Sequence, residues 1–287
     1  MPDSLTDGEV RTIFSTHTTE ENIQYLQENM KTFIHPQDSV LLCTPAWEHP
    51  VICEEIRQAL ENLGAEISFW NSDQTWRDLM WMAFSRHVSV VVGPARLILG
   101  LAKLARETDT PLNIQHVLVA GSLPGCELYD SIRSELDCTV EQCYTPAGSD
   151  LIAGFTEPGT ETVQPRDDAF SVSFGESQTG REVLITRGSH VWHTGDLGQP
   201  EENGLTHLRK DCTDPENPRY LDSLLLPWSS ILDYEIQHTE YGQKLELVVF
   251  PGESLPKLPT FAGMVVRGWA PFSDKPFPVL RKPPVIS

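Results

Sequence analysis

Two hydrophobic periods alternate along the first half of the chain. Ile23, Leu26, Met30 and Phe33 recur at helical spacing behind Thr18, and Glu21, three residues after Thr18, completes a capping box, so a helix is predicted to start there. Ser39 to Cys43 (SVLLC) is a short apolar run and predicts a buried strand. Ile52, Ile56, Leu60 and Leu63 mark a second helix, with Gly64 at the position of a left-handed cap. The alternation continues with a strand at 65–70 (AEISFW), a helix at 76–85 (WRDLMWMAFS) and a strand at 88–92 (VSVVV). A long helix runs from Pro94 to about Thr108, followed by a strand at 116–120 (HVLVA), a helix near 125–136 and a strand ending at Tyr144. A strand as apolar as VSVVV fits a parallel sheet covered on both faces. The aromatics Trp76, Trp81 and Phe84 of the third helix read as core.

Strand–helix–strand at this spacing predicts an α/β fold: a parallel, helix-covered sheet built by right-handed crossovers. After about residue 150 the texture changes. FSVSF (170–174), REVLIT (181–186) and KLELVVF (244–250) predict strands separated by Gly, Pro and polar turns. The expected organisation is an α/β core over 1–150, a β-rich subdomain over 151–210, and a linker with a short, truncated C-terminal portion over 211–287. The polar, proline-bearing DCTDPENPRY (211–220) is the linker candidate.

Charge narrows the range of partners. The 287 residues carry 41 acidic and 21 basic side chains, a formal charge of -20, which disfavours nucleic acid and anionic membrane because both are bound through excess Lys and Arg. With 39% hydrophobic and 22% charged residues the chain is globular. No apolar run approaches the ~18 residues of a membrane helix. MPDSLTDGEV lacks the basic end and apolar run of a signal peptide, and six scattered cysteines without a CxxC fit a reducing cytoplasm. Cys138 and Cys143 are four residues apart with no companion pair, which argues against a metal site.

Ligands of parallel α/β sheets bind beyond the carboxyl ends of the strands. Three segments are placed there by the pattern: Gly121-Ser122-Leu123-Pro124-Gly125, Tyr144-Thr145-Pro146-Ala147-Gly148-Ser149-Asp150, and Trp192-His193-Thr194-Gly195-Asp196-Leu197. Glycines there admit a close backbone approach, and an aspartate after Thr-Gly is a strong acceptor for two sugar hydroxyls. Singly, each also reads as an ordinary turn. His190 and His193 read as surface residues, and Trp47-Glu48-His49-Pro50 as a packed loop or the lining of an acyl pocket. No G-x-S-x-G elbow accompanies the histidines.

The order and spacing of these segments resemble the acyl-adenylate-forming (ANL) superfamily, and within it the phenylacetate–CoA ligase branch, over roughly residues 12–235. The likeness is carried by VVGPARLILGLAKLARETDTP, AGSLPG, CYTPAGSD and WHTGDLG. It implies activation of a small carboxylic acid by ATP and Mg²⁺ to an acyl-adenylate, then transfer to coenzyme A. By the same resemblance Gly121 and Ser122 lie along the adenine and acyl pocket, Tyr144 stacks on adenine, Asp196 holds the ribose hydroxyls, and Arg209 is the arginine of an Arg-x-Asp hinge.

The chain departs from the pattern where phosphate is handled. Ala147 and Gly148 stand where the family has a hydroxyl and a magnesium-binding carboxylate, with Asp150 two residues beyond as a substitute. Laid over the family's phosphate loop, Ser15-Thr16-His17-Thr18-Thr19-Glu20 puts His17 and Glu20 at glycine positions, whereas the capping box explains Thr18 and Glu21 directly. Lys257 lacks the expected context, since Met264 rather than lysine follows Gly263, and no Cys-Pro-Cys-Gly element follows Thr-Gly-Asp to hold zinc. The expectation is therefore a shortened ligase homologue. The alternatives are an inactive nucleotide- or acyl-binding regulatory module, or half of a split enzyme completed by a partner protein; a homodimer is expected by family analogy alone.

Overall fold

Strands that are apolar on both faces need helices above and below, and this chain supplies them in sequence order. The computed structural model describes residues 10, 13–14, 18–43, 50–70, 74–121, 128–146, 151–157, 160–166, 170–177, 180–202, 204–210, 221, 224–240, 242–250 and 263–268. Helices α1 (Thr19–Met30), α2 (Pro50–Asn62), α3 (Trp76–Ser85), α4 (Ala95–Glu107) and α5 (Leu128–Leu136) alternate with strands β1 (Ser39–Leu42), β2 (Glu66–Phe69), β3 (Val90–Gly93), β4 (His116–Val119) and β5 (Thr139–Tyr144). The strands pair in parallel in the order β2-β1-β3-β4-β5. Val40, Leu42, Val90, Val92 and Leu118 face α1 and α2, whereas Leu41, Val91, Val117 and Val119 face α3, α4 and α5.

The local signals lie where the pattern puts them. Thr18 accepts from Glu21 N at 3.2 Å while the Glu21 carboxylate accepts from Thr18 N at 2.7 Å, so the capping box is complete. A second box, Thr75 with Asp78, opens α3. Gly64 has φ +82, the left-handed cap that a side chain would strain.

One expectation about α3 is corrected. Trp76, Leu79 and Ala83 form its buried stripe, and Trp81 and Phe84 lie outside it, 64% and 39% exposed with their rings 6.2 Å apart. Helical periodicity allows one inward stripe here, and Trp76 and Leu79 already fill it.

The β-rich half continues the same sheet. Strands β6 (Gly154–Thr156), β7 (Val163–Pro165), β8 (Ser171–Glu176), β9 (Arg181–Arg187), β10 (His190–Glu201) and β11 (Gly204–Lys210) follow in chain order. β6 pairs antiparallel with the free edge of β5, and the order continues β7-β11-β10-β9-β8. The parallel edge is thereby covered rather than left open.

Strands β12 (Ile231–Thr239), β13 (Gly242–Val249) and β14 (Gly263–Gly268) form a separate sheet in that order. It packs on α4 through Ile231, Tyr234, Leu245 and Leu247, so α4 is buried between two sheets. Lys103 of α4 is 2% exposed and donates to Leu226 O, Trp228 O and Ile231 O. Arg96, two turns earlier, meets the Asp233 carboxylate and Tyr234 O at 2.8 Å and lies 4.0 Å above the Tyr234 ring. No described helix is long and apolar enough to cross a membrane.

Candidate functional site

The described residues of the three candidate segments, Gly121, Tyr144 to Pro146 and Trp192 to Leu197, lie on β4, β5 and β10 or directly after them, in the sheet where parallel pairing gives way to antiparallel. β4 ends at Val119 and runs through Ala120 to Gly121, whose φ of +103 suits glycine. β5 ends at Tyr144, and the next hydroxyl, Thr145, is buried and donates to Gly121 O at 3.1 Å. That bond ties together the turns after two neighbouring strands.

The third segment sits differently from the expectation. Thr194-Gly195-Asp196 lies inside β10, not beyond the end of a strand, and the register breaks between His193 and Leu197. The physical reason is a bulge. Gly195 takes φ +66, Thr194 Oγ1 donates to Val183 O at 2.8 Å, and Asp196 N donates to the same hydroxyl at 3.1 Å. Glu182 braces it from β9: Oε1 accepts from Gly195 N at 3.0 Å and Oε2 lies 3.0 Å from His193 Nδ1. His190 and His193 are on the surface.

The bulge turns the Asp196 carboxylate onto Tyr144. Tyr144 Oη donates to Asp196 Oδ2 at 2.9 Å across 52 residues of sequence, with Tyr144 0% and Asp196 1% exposed. Burial, and then the neighbouring carboxylate, push the Tyr144 phenol well above its ordinary range, so it stays a neutral donor. Tyr129 of α5 is pushed upward by the same two causes in the same order. Replacing the brace, Glu182→Ala, is expected to lower stability by about 1 kcal/mol by removing a carboxylate acceptor from a partly exposed N–H, measured by urea unfolding.

Of the residues singled out, Tyr144 and Asp196 are in contact, and Gly121 is one hydrogen bond from the residue after Tyr144. Arg209 stands on β11 opposite Leu197, one register position from Asp196, and is exposed. Ser122, Ala147, Gly148, Asp150, residues 15–17, Trp47-Glu48-His49 and Lys257 lie outside the described residues. Met264 is on β14. No group of three His, Cys, Asp or Glu side chains arranged for a metal is found among the described residues. Sequence reasoning named Thr145 only as part of its turn, with no role of its own, and passed over Gln142 and Tyr129. For Gln142 a signal existed: it is a polar residue in the middle of a buried strand, TVEQCY.

Neither the family models nor the curated proteins contain a match to the sequence. Solved structures do match. A 2-hydroxyisobutyryl-CoA ligase in its postadenylation state with an acyl-AMP superposes with TM-score 0.58 at 15% identity, over 89% of this chain and 67% of that one. The fold is that of the acyl-adenylate-forming ligases. The same ligase bound to an acyl-AMP and CoA gives 0.51 at 16% identity, over 79% of this chain and 57% of the other. A benzoate CoA ligase from Burkholderia xenovorans LB400 gives 0.55 at 11%, over 86% and 61%. These likenesses, at 11% to 16% identity, extend over 79% to 89% of this chain and are likenesses of fold.

Proposed function

We propose that the chain binds adenosine monophosphate, free or as the acyl-adenylate of a small carboxylic acid, with Tyr144, Asp196, Gly121, Ser122 and Arg209 as its contacts. The observation that carries the reading is the Tyr144–Asp196 hydrogen bond. The two residues that the resemblance assigns to base and ribose come from strands of opposite halves of the sheet and meet in one buried pair. Because both are buried, a nucleotide reaches the Asp196 carboxylate only when Tyr144 releases it.

The phenylacetate–CoA ligase-like branch is the nearest functional relation on this reading, with coenzyme A as acyl acceptor. By the resemblance Ala147 and Gly148 stand at the magnesium position, and they offer no side-chain ligand that would fit that ion. Stabilisation of transferring phosphoryl charge is usually a dominant catalytic term, and without it acid activation by this chain alone falls far below ligase rates.

The test has two arms. AMP should raise the melting temperature, Asp196→Ala should abolish the shift, and Tyr144→Phe should tighten AMP binding about tenfold. That variant keeps a ring for stacking while freeing the carboxylate from a bond worth about 1.5 kcal/mol. Acid-dependent ATP–pyrophosphate exchange across a panel of acids should stay at background. Exchange by the purified chain would instead establish a complete ligase, and exchange on adding a second protein would establish a split one.

A further inference from the structure

The large sheet ends on β8, which pairs with β9 on one side and with no described strand on the other. A terminal strand presents a row of N–H and C=O groups that accept a further strand. Such edges are ordinarily blunted by a lysine, a proline, a bulge or a covering element. β8 has none of the first three. Its residues, Ser171-Val172-Ser173-Phe174-Gly175-Glu176, pair with β9 in unbroken register, and the single charge stands at the last position.

The core is also unfinished along this edge. One strand inward, Val183 and Ile185 of β9 are fully buried. Their partners across the ladder, Phe174 and Val172, pack on the same cluster yet are only partly buried. The apolar layer therefore runs past β9 to two side chains that nothing covers completely, while Ser171 and Ser173 alternate with them and are exposed.

The identity of the occupant follows from setting β8 against itself. Residues directly opposite in an antiparallel pair share a face of the sheet. A twofold axis perpendicular to the sheet at Ser173 puts Val172 of one copy opposite Phe174 of the other, and Phe174 opposite Val172. On the outer face Ser173 meets its own copy and Ser171 meets Gly175. An aromatic against a β-branched residue and a hydroxyl against a hydroxyl are favourable cross-strand pairs. No charge lies within 171–175, so two chains of formal charge -20 meet here without opposing like charges.

We infer that β8 is an interaction edge for a second copy of this chain, joined antiparallel about Ser173 into one continuous sheet. The contact consumes the same edge on both copies, so this assembly closes at the dimer. Five residues a side bury less than the roughly 1,600 Å² of a standard interface, which makes the dimer weak and reversible. The pairing uses neither Tyr144 nor Asp196 and does not depend on nucleotide binding.

The test is sedimentation of the full chain from about 1 to 300 µM in about 0.15 M salt, where charges beyond ~8 Å are screened. A reversible monomer–dimer equilibrium is expected, with a dissociation constant on the order of 50 µM. Ser173→Lys and Ser173→Glu each set two like charges opposite one another at the axis and should weaken the dimer about tenfold or more. Mixed in equal amounts, the two variants should associate at least as well as the wild type, because lysine then faces glutamate. Ser173 is exposed, so neither side chain enters the core, and recovery in the mixture shows that both variants are folded. A wild-type chain that stays monomeric at about 300 µM overturns the proposal. So does association that neither variant weakens, which moves the contact to another surface. A mixture no better than the separate variants, or growth beyond the dimer, overturns it equally.

Discussion

Lys103→Met is expected to lower the unfolding free energy by about 3 kcal/mol, read as a shift of the urea midpoint at unchanged slope. The Lys103 ammonium meets three carbonyl oxygens, two of them at 2.9 Å. Trp228 O also accepts from Ile231 N and so keeps a donor after the substitution, but Leu226 O has no other donor among the described residues. Methionine preserves the length and apolar packing of the stem, so what is lost is the charge-assisted bonding and not volume. Recovered desolvation of the ammonium works against the loss, which keeps it near 3 kcal/mol rather than the sum of three bonds. Lys103→Arg should not restore stability, because a planar fork cannot converge on three carbonyls as a compact ammonium does.

Gly100→Ala should destabilise by about 2 kcal/mol although alanine is the better helix former. Intrinsic propensity favours the substitution by about 1 kcal/mol. Against that, a Cβ at position 100 would fall 2.0 Å from Cη2 and 2.7 Å from Cζ3 of Trp76, whose ring is buried. Overpacking of a closed core costs ~1–3 kcal/mol and here exceeds the propensity gain. The decisive comparison is the double variant Gly100→Ala with Trp76→Leu: the alanine should cost less in that background than in the wild type. An equal cost in both backgrounds would remove Trp76 from the explanation.

These two residues show what sequence could and could not carry. The parallel strands were legible because burial on both faces leaves a continuous apolar run, and α1 because Thr18 and Glu21 advertise a cap. Thr75 and Asp78 advertise another that went unread. Lys103 was illegible: a charge in an amphipathic helix reads as a solvent face, and its acceptors are backbone carbonyls more than 120 residues away, which leave no side-chain signature. Trp81 and Phe84 misled because aromatic content was read without asking how many inward positions one helix has.

The candidate site was legible as residues and not as a contact. Tyr144 and Asp196 stand out by their neighbours, but a hydrogen bond between them depends on a bulge in β10 and on the switch from parallel to antiparallel pairing at Cys143 and Phe155. Neither has a hydrophobic period. Tyr129 escaped for the opposite reason, because a tyrosine in a helix is common, whereas Gln142 carried a signal that went unread, a polar residue inside the buried strand TVEQCY.

The burial of α4 between two sheets also sets an order of events at the ribosome. Lys103 leaves the exit tunnel 128 residues before Ile231, one of its acceptors. At ~5–20 residues per second that interval is roughly 6–26 s. Throughout it, a helix destined to be covered on every side presents an apolar flank and an unsatisfied ammonium to solvent or to a chaperone. The nascent first sheet can assemble in that time, but α4 acquires its final environment only when β12 arrives, so truncations ending before residue 231 should be captured by holdase chaperones in proportion to how long that flank stays open.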